Sequence, residues 1–247
     1  MAVTIEIENM FKKYQRNRPG LTELFAQMTK SLKGSHKTTD KTAKTEFFAL
    51  KNISLKINEG ESVGITGANG AGKSTLLKLI YGVTSPSAGS VKIRGAIAGY
   101  LDILAGFHHE YTGRENVFFA GALLGASKKA LQREFDNIVQ FAELNDHIDK
   151  PIKKYSSGMC LRLAFSIAVH LEHEILLFDE IFAVGDKNFQ EKCQKKLKNL
   201  ICIQNKTVLL ASHDSDLVKN VCSRVIVLDQ GEIIGDQPLS GPQVTGG

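Results

Sequence analysis

The residues best suited to chemistry fall in four short groups. Lys73-Ser74-Thr75 ends the glycine-rich stretch Gly67-Ala68-Asn69-Gly70-Ala71-Gly72. Glycines there let the backbone bend so that its N–H groups point at a polyphosphate, and a helix starting at the lysine adds its positive end. In a loop of this kind Lys73 reaches the β- and γ-phosphates, the Ser74 hydroxyl holds Mg²⁺, and Thr75 adds a hydroxyl near the α-phosphate. Asn69, Gly70, Ala71 and Gly72 form the cradle. Next, Ser156-Ser157-Gly158 precedes an apolar run reaching Val169. Ser156 can cap that helix, and Gly158 leaves its N–H groups open to close approach, a second anion-binding helix end. Asp179 and Glu180 follow the apolar run Ile175-Leu176-Leu177-Phe178. Asp179 suits a Mg²⁺ shell, through water, and Glu180 suits polarising a water that attacks the γ-phosphate. His213 follows the run from Thr207 to Ala211 and is placed to contact that phosphate. A solvated acid pair, a structural histidine and a plain capped helix are the ordinary readings of the last three groups taken singly.

These groups need an α/β framework to bring them together. Val63-Gly64-Ile65 reads as a short strand entering the glycine loop, and the residues after Lys73 have helical spacing. Ile175 to Phe178 reads as a buried strand, and the C-terminal ends of such strands are where ligands sit in open α/β sheets. Val3 to Glu8, Ile53 to Ile57, Ser90 to Ile93 and Ile97 to Leu101 suggest an antiparallel sheet beside that core. Thr112-Gly113-Arg114-Glu115 has the form of a capping box. The stretch from about residue 104 to 160 therefore reads as an inserted helical subdomain. Val225 to Leu228 and Ile233-Ile234, joined through Asp229-Gln230-Gly231-Glu232, read as a hairpin, with a Pro/Gly/Ser-rich tail from Gln237.

Between the first two strands, residues 16–46 form an insertion. Leu21, Leu24, Phe25, Met28 and Leu32 lie on one face of a short helix after Pro19-Gly20, a face that meets either its own domain or a membrane or partner. From Lys30 to Thr45, five lysines stand against the single acid Asp40, a net of +4 out of the chain's +5. That concentration, without aromatics for base stacking, argues against a nucleic-acid partner; a solvated loop or a site for anionic lipid headgroups remain. No apolar run approaches the ~18 residues of a membrane span, and the N-terminus lacks the form of a secretory signal. A cytoplasmic protein is expected. Cys160, Cys193, Cys202 and Cys222 lack CxxC spacing, so reduced thiols are expected.

Taken in order, the glycine loop, Ser156-Ser157-Gly158, Ile175 to Glu180 and His213 resemble the nucleotide-binding domain of an ABC transporter, across Val3 to about Asp236. The resemblance implies a RecA-like P-loop ATPase core of mostly parallel sheet, with an antiparallel β subdomain and an inserted helical subdomain. It implies ATP and Mg²⁺, and a head-to-tail homodimer in which Ser156, Ser157 and Gly158 of one subunit meet the γ-phosphate held by Lys73 of the other. Finer features narrow it: Tyr155-Ser156-Ser157-Gly158-Met159, the loop Ala183-Val184-Gly185-Asp186, Tyr111 to Asn116, and the insertion after Tyr14. These are similar to the polysaccharide-exporter branch, the O-antigen and teichoic-acid exporter ATPases. By that resemblance Tyr14 stacks on adenine, with Phe47 or Phe48 as substitutes, and Asp186 belongs to the nucleotide site. The partners implied are two membrane permease subunits, the cargo a lipid-linked polysaccharide, and the location the cytoplasmic face of the inner membrane. Asp102 stands near the position of the family's metal-sensing glutamine and becomes a candidate metal ligand through water. Some members of that branch carry an additional carbohydrate-binding domain, and none is expected within the few residues that follow Asp236 in this sequence. Other exported cargoes, a soluble ABC ATPase and a regulator without turnover are the rival readings; the last predicts a damaged Glu180 or His213, and both are intact.

Overall fold

The computed structural model describes residues 2–16, 45–180 and 186–242. The amphipathic stretch Leu21 to Leu32, most of the lysine-rich stretch and Ala183 to Gly185 lie outside the described residues. In chain order the elements are β1 Val3–Arg16, β2 Thr45–Asn58, β3 Ser62–Thr66, α1 Lys73–Tyr81, β4 Ala88–Ile93, β5 Ile97–Gly99 and α2 Tyr100–Ala105. Then follow α3 Gly113–Leu123, α4 Lys128–Ala142, α5 Ser157–His170, β6 Ile175–Asp179, α6 Lys187–Cys202, β7 Thr207–Ala211, α7 Ser215–Val221, β8 Arg224–Asp229 and β9 Glu232–Pro238.

Two sheets result. The six-stranded sheet has the order β5-β6-β7-β3-β8-β9, parallel except for β9, and the three-stranded sheet β2-β1-β4 is antiparallel. The alternation of side chains along a strand explains how the core divides. Ile175, Leu177, Leu209 and Ala211 face a cluster with α1 and the antiparallel sheet, while Leu176, Phe178, Val208 and Leu210 face a cluster with α3, α4, α5 and α6. Strands buried on both faces need continuous apolar runs, which is what β6 and β7 have.

Three departures from the sequence reading stand out. The run Ile97 to Leu101 was expected in the antiparallel sheet; instead β5 pairs in parallel with β6, and the chain turns helical at Tyr100. Arg94 still donates to the carbonyl of Thr4 in the first sheet, but Gly95, at φ 112°, turns the chain so that the Ala96 carbonyl accepts from Glu174 and Ile175. That backbone conformation is strained for any residue with a Cβ, so the switch between sheets favours glycine. Second, β1 and β2 are each 14 residues long and pair out to Arg16 opposite Thr45. Asn9 at φ 45° and Asn52 at φ 50° accompany a register shift between Ile7 and Met10, and that bulge interrupts the alternation a sequence reading relies on. At the other end, β9 pairs Gln237 and Pro238 with Val225 and Arg224, so the hairpin takes in the first residues of the expected tail.

Arg224 fastens this hairpin to the rest. Its guanidinium donates to both carboxylate oxygens of Asp236 at 2.7 Å, to Glu61 at 2.9 Å and to the Lys56 carbonyl at 2.9 Å. The hydrogen bond from Arg224 holds the Asp236 carboxyl below its usual value, against the opposing effect of burial. A lowered folded value means that the pair stabilises the fold above the ordinary aspartate range near ~3.9 and that this contribution is lost as pH falls through the folded value. Chemical denaturation of Asp236→Asn should therefore show lower stability than wild type at neutral pH, with the gap closing below about pH 4. A gap that stays constant with pH would rule out the ion pair as its source.

Candidate functional site

The six-residue loop 67–72 leaves β3, which lies between β7 and β8, so the loop emerges at the C-terminal edge of the parallel strands. Gly67 and Gly72 have φ 146° and 111°, and a Cβ at Gly72 would lie 2.8 Å from the Ala49 carbonyl. The loop can therefore curl against β2 only with glycine at that position. Helix α1 begins at Lys73 with no side-chain cap, so its first N–H groups are left for a ligand. The Lys73 side chain is 5% exposed, and its ammonium donates to the Gly67 and Ala68 carbonyls at 2.8 and 3.2 Å.

β6 carries Asp179 and Glu180 to the same edge. The Glu180 N–H donates to the Ala211 carbonyl at 2.9 Å, which fixes Glu180 at the end of β7 as well. Its φ of 51° is an unusual conformation for a side-chain-bearing residue and turns the carboxylate toward the loop. Oε1 lies 3.8 Å from Lys73 Nζ and 3.6 Å from His213 Nδ1. Lysine, glutamate and histidine thus meet, although 140 residues separate the first from the last (213 − 73). A donor, an acceptor able to orient water, and an imidazole around one point suit attack of water on a phosphate.

A cleft of about 650 Å³ runs from this point, lined by Asn69, Gly70, Gly72, Lys73, Ser74, Thr75 and Glu180 at one end and by Tyr14, Phe47 and Phe48 at the other. Its size is typical of a small-molecule site. Ala49, Lys51 and Gln230 also line it and were missed in the sequence. Gln230, at φ 45°, and Gly231, at φ 84°, make the tight turn between β8 and β9. The Gly231 N–H donates to Ala71 and its carbonyl accepts from Lys51, so this distant turn is stitched to the loop. Only the turn-forming Gln-Gly pair could have hinted at it.

The buried Oδ1 of Asp179 has no hydrogen-bond partner among the described residues. An unpartnered buried carboxylate oxygen is costly, and a hydrated divalent cation would satisfy it. With the Ser74 hydroxyl on the cleft, these oxygens fit Mg²⁺, a cation that prefers oxygen ligands and keeps several waters. Asp102 falls within α2.

Other sequence candidates stand apart from this cleft. Ser156 is the N-cap of α5, its hydroxyl accepting from the Met159 N–H at 3.2 Å, and Ser156 and Ser157 are exposed. A Cβ added at Gly158 would meet only Ser156 Oγ, at 3.8 Å, so the end of this helix faces open space. Asp186 likewise does not line the cleft. Its carboxylate caps α6 by accepting from the Phe189 N–H at 2.9 Å and pairs with Arg162 of α5. The two distinctive motifs meet as well: a Cβ at Gly113 would lie 2.2 Å from the Tyr155 hydroxyl, which donates to the His147 carbonyl. Thr112 and Glu115 form the reciprocal capping box of α3. Burial pushes the Tyr155 phenol up to about 12, so it remains a donor across the ordinary pH range.

Residues 50–183 match the family model described as ABC transporter, more than half of the chain. The chain belongs to the ABC transporter family. Within this ABC transporter family, the O-antigen export system ATP-binding protein RfbB of Myxococcus xanthus is 38% identical over 231 residues, covering 93% of this chain and 52% of the relative. The teichoic acids export ATP-binding protein TagH of Lactococcus lactis is 43% identical over 204 residues, covering 83% of this chain and 42% of the relative. The chain thus spans about half the length of these relatives. The dimeric post-hydrolysis state of the ATP-binding cassette MJ0796, bound to ADP and Pi, superposes with a TM-score of 0.75 at 24% identity, covering 96% of this chain and 99% of that one. That likeness is one of fold, and it extends through both sheets and the helical segment. Among the described residues no helix is long and apolar enough to cross a membrane.

Proposed function

We propose that this chain is the ATP-hydrolysing subunit of an exporter for a lipid-linked polysaccharide of the O-antigen type. It acts as a homodimer on two membrane permease subunits, at the cytoplasmic face of the inner membrane. The observation that carries the ATPase reading is the meeting of Lys73, Glu180 and His213 at the phosphate end of a cleft whose other end is aromatic. Tyr14, backed by Phe47 and Phe48, takes the adenine; Lys73, Thr75 and the backbone from Asn69 to Gly72 take the phosphates. Ser74 and Asp179, with Asp102 through water, would hold Mg²⁺, which when bound neutralises charge on the phosphate oxygens. Glu180 orients and deprotonates the attacking water, and His213 donates to the γ-phosphate.

The open N-terminus of α5 supports a composite site. Ser156, Ser157 and Gly158 do not line the cleft of their own chain, and a second copy placed head to tail would bring them to its phosphates. Asp186, joined to α5 through Arg162, then lies at the junction of the two copies. The names of the RfbB and TagH relatives support a glycan cargo, and teichoic acid is the second reading. The test is ATP turnover by the chain copurified in membranes with its permease, with lipid-linked glycans added singly. Stimulation by one glycan is expected; turnover indifferent to every glycan, with no stable permease complex, would refute the export reading.

A further inference from the structure

Lys12 is 9% exposed, which is rare for lysine, and it is not part of the phosphate site. Its ammonium donates to Thr84 Oγ1 at 2.5 Å and to the Ser85 carbonyl at 2.7 Å. It also sits over the ring of Tyr14, 5.0 Å from the centroid. Thr84 and Ser85 belong to the loop that follows α1, the helix whose first residues line the cleft. The same loop is sewn to β1 twice more: Ser87 Oγ accepts from the Lys13 N–H at 2.9 Å, and the Ser87 N–H donates to the Phe11 carbonyl at 2.8 Å. Register shifts on either side of Lys12 bend β1 here, and beyond them Tyr14 pairs with Phe47, the two rings 6.0 Å apart and 33° from parallel.

We propose that Lys12 is a positioning residue for the base of the bound nucleotide. It covers one face of Tyr14, so the purine must stack on the other, and it ties that ring to the loop after α1, so base and phosphates sit at a fixed separation. A cation over one face of a phenol ring draws the ring's electrons toward itself, which strengthens stacking of an electron-rich purine on the opposite face. This rests on the ATP reading above. A lysine that merely fastened β1 to the loop would act on any ligand of the cleft, whereas a base-positioning lysine acts only on ligands that carry a base.

The experiment measures Mg²⁺-dependent affinity of the full chain for ATP and for inorganic tripolyphosphate, in Lys12→Met, Lys12→Gln, Lys12→Arg, Tyr14→Ala and the Lys12→Met/Tyr14→Ala pair. Lys12→Met and Lys12→Gln should each weaken ATP about tenfold while tripolyphosphate changes less than about twofold, and Lys12→Arg should recover most of the loss. In the Tyr14→Ala background, Lys12→Met should cost ATP nothing further, since the two residues act as one unit. Equal weakening of both ligands, or unchanged ATP affinity in the folded variants, would overturn the proposal alone. A wild-type chain that binds neither ligand would overturn the ATP reading together with it.

Discussion

Lys73→Ala is expected to reduce ATP affinity by two to three orders of magnitude and to abolish measurable turnover. The Lys73 side chain is nearly fully buried, its hydrogen bonds go to carbonyls of its own loop, and it lines the cleft at the end proposed above for the outer phosphates. Removing one partner of a buried, charge-assisted contact costs about 2–5 kcal/mol. Each 1.4 kcal/mol is a factor of ten in affinity. Lys73→Arg should not rescue, because a planar guanidinium cannot take the place of a compact ammonium inside so tight a loop. The fold should persist, since the strands and α1 bury the apolar core independently of this side chain. Isothermal titration with ATP, alongside a thermal melt, reads both; unchanged affinity would refute the loop assignment.

Glu180→Gln is expected to leave ATP binding intact while turnover falls by about 10²–10⁴, the usual contribution of a general base. Glutamine keeps the size and the left-handed backbone of the native residue, so the change is confined to the carboxylate facing Lys73 and His213. Losing a negative charge beside a bound γ-phosphate also favours the ATP-bound state, so the variant should accumulate as a dimer carrying uncleaved ATP. Sedimentation with ATP and Mg²⁺, followed by nucleotide extraction, reads that state. Wild-type turnover in this variant would remove Glu180 from the role of base.

Much of the site was legible because its chemistry lies in contiguous runs. The glycine loop, the strand ending in Asp179-Glu180 and the capped start of α5 each combine a local structure with the residues it presents. Fold class was legible for the same reason: β6 and β7 carry the continuous apolar runs Ile175 to Phe178 and Val208 to Ala211, and such strands need cover on both faces. What could not be read depends on distant contacts. Gln230 reaches the cleft only because the turn between β8 and β9 bonds to Ala71 and Lys51. The full length of β1 and β2 was hidden by the bulge at Asn9, and β5 was assigned to the wrong sheet because three residues carry too little pattern to reveal a switch at Gly95. The family resemblance put Asp186 with the nucleotide site, but its cap on α6 and its pairing with Arg162 could be seen only in the structure. Tyr155 and Gly113, far apart in sequence, explain each other only when seen in contact.

The central claim is that one chain holds the nucleotide and a second copy completes the site. It is tested most directly by the ATPase rate of the purified chain, with Mg²⁺, as protein concentration is varied below the dimerisation constant. A composite site predicts a rate rising with the square of protein concentration, and partial recovery of activity when inactive Lys73→Ala and inactive Gly158→Asp chains are mixed. A rate strictly proportional to concentration, with no recovery on mixing, would contradict it.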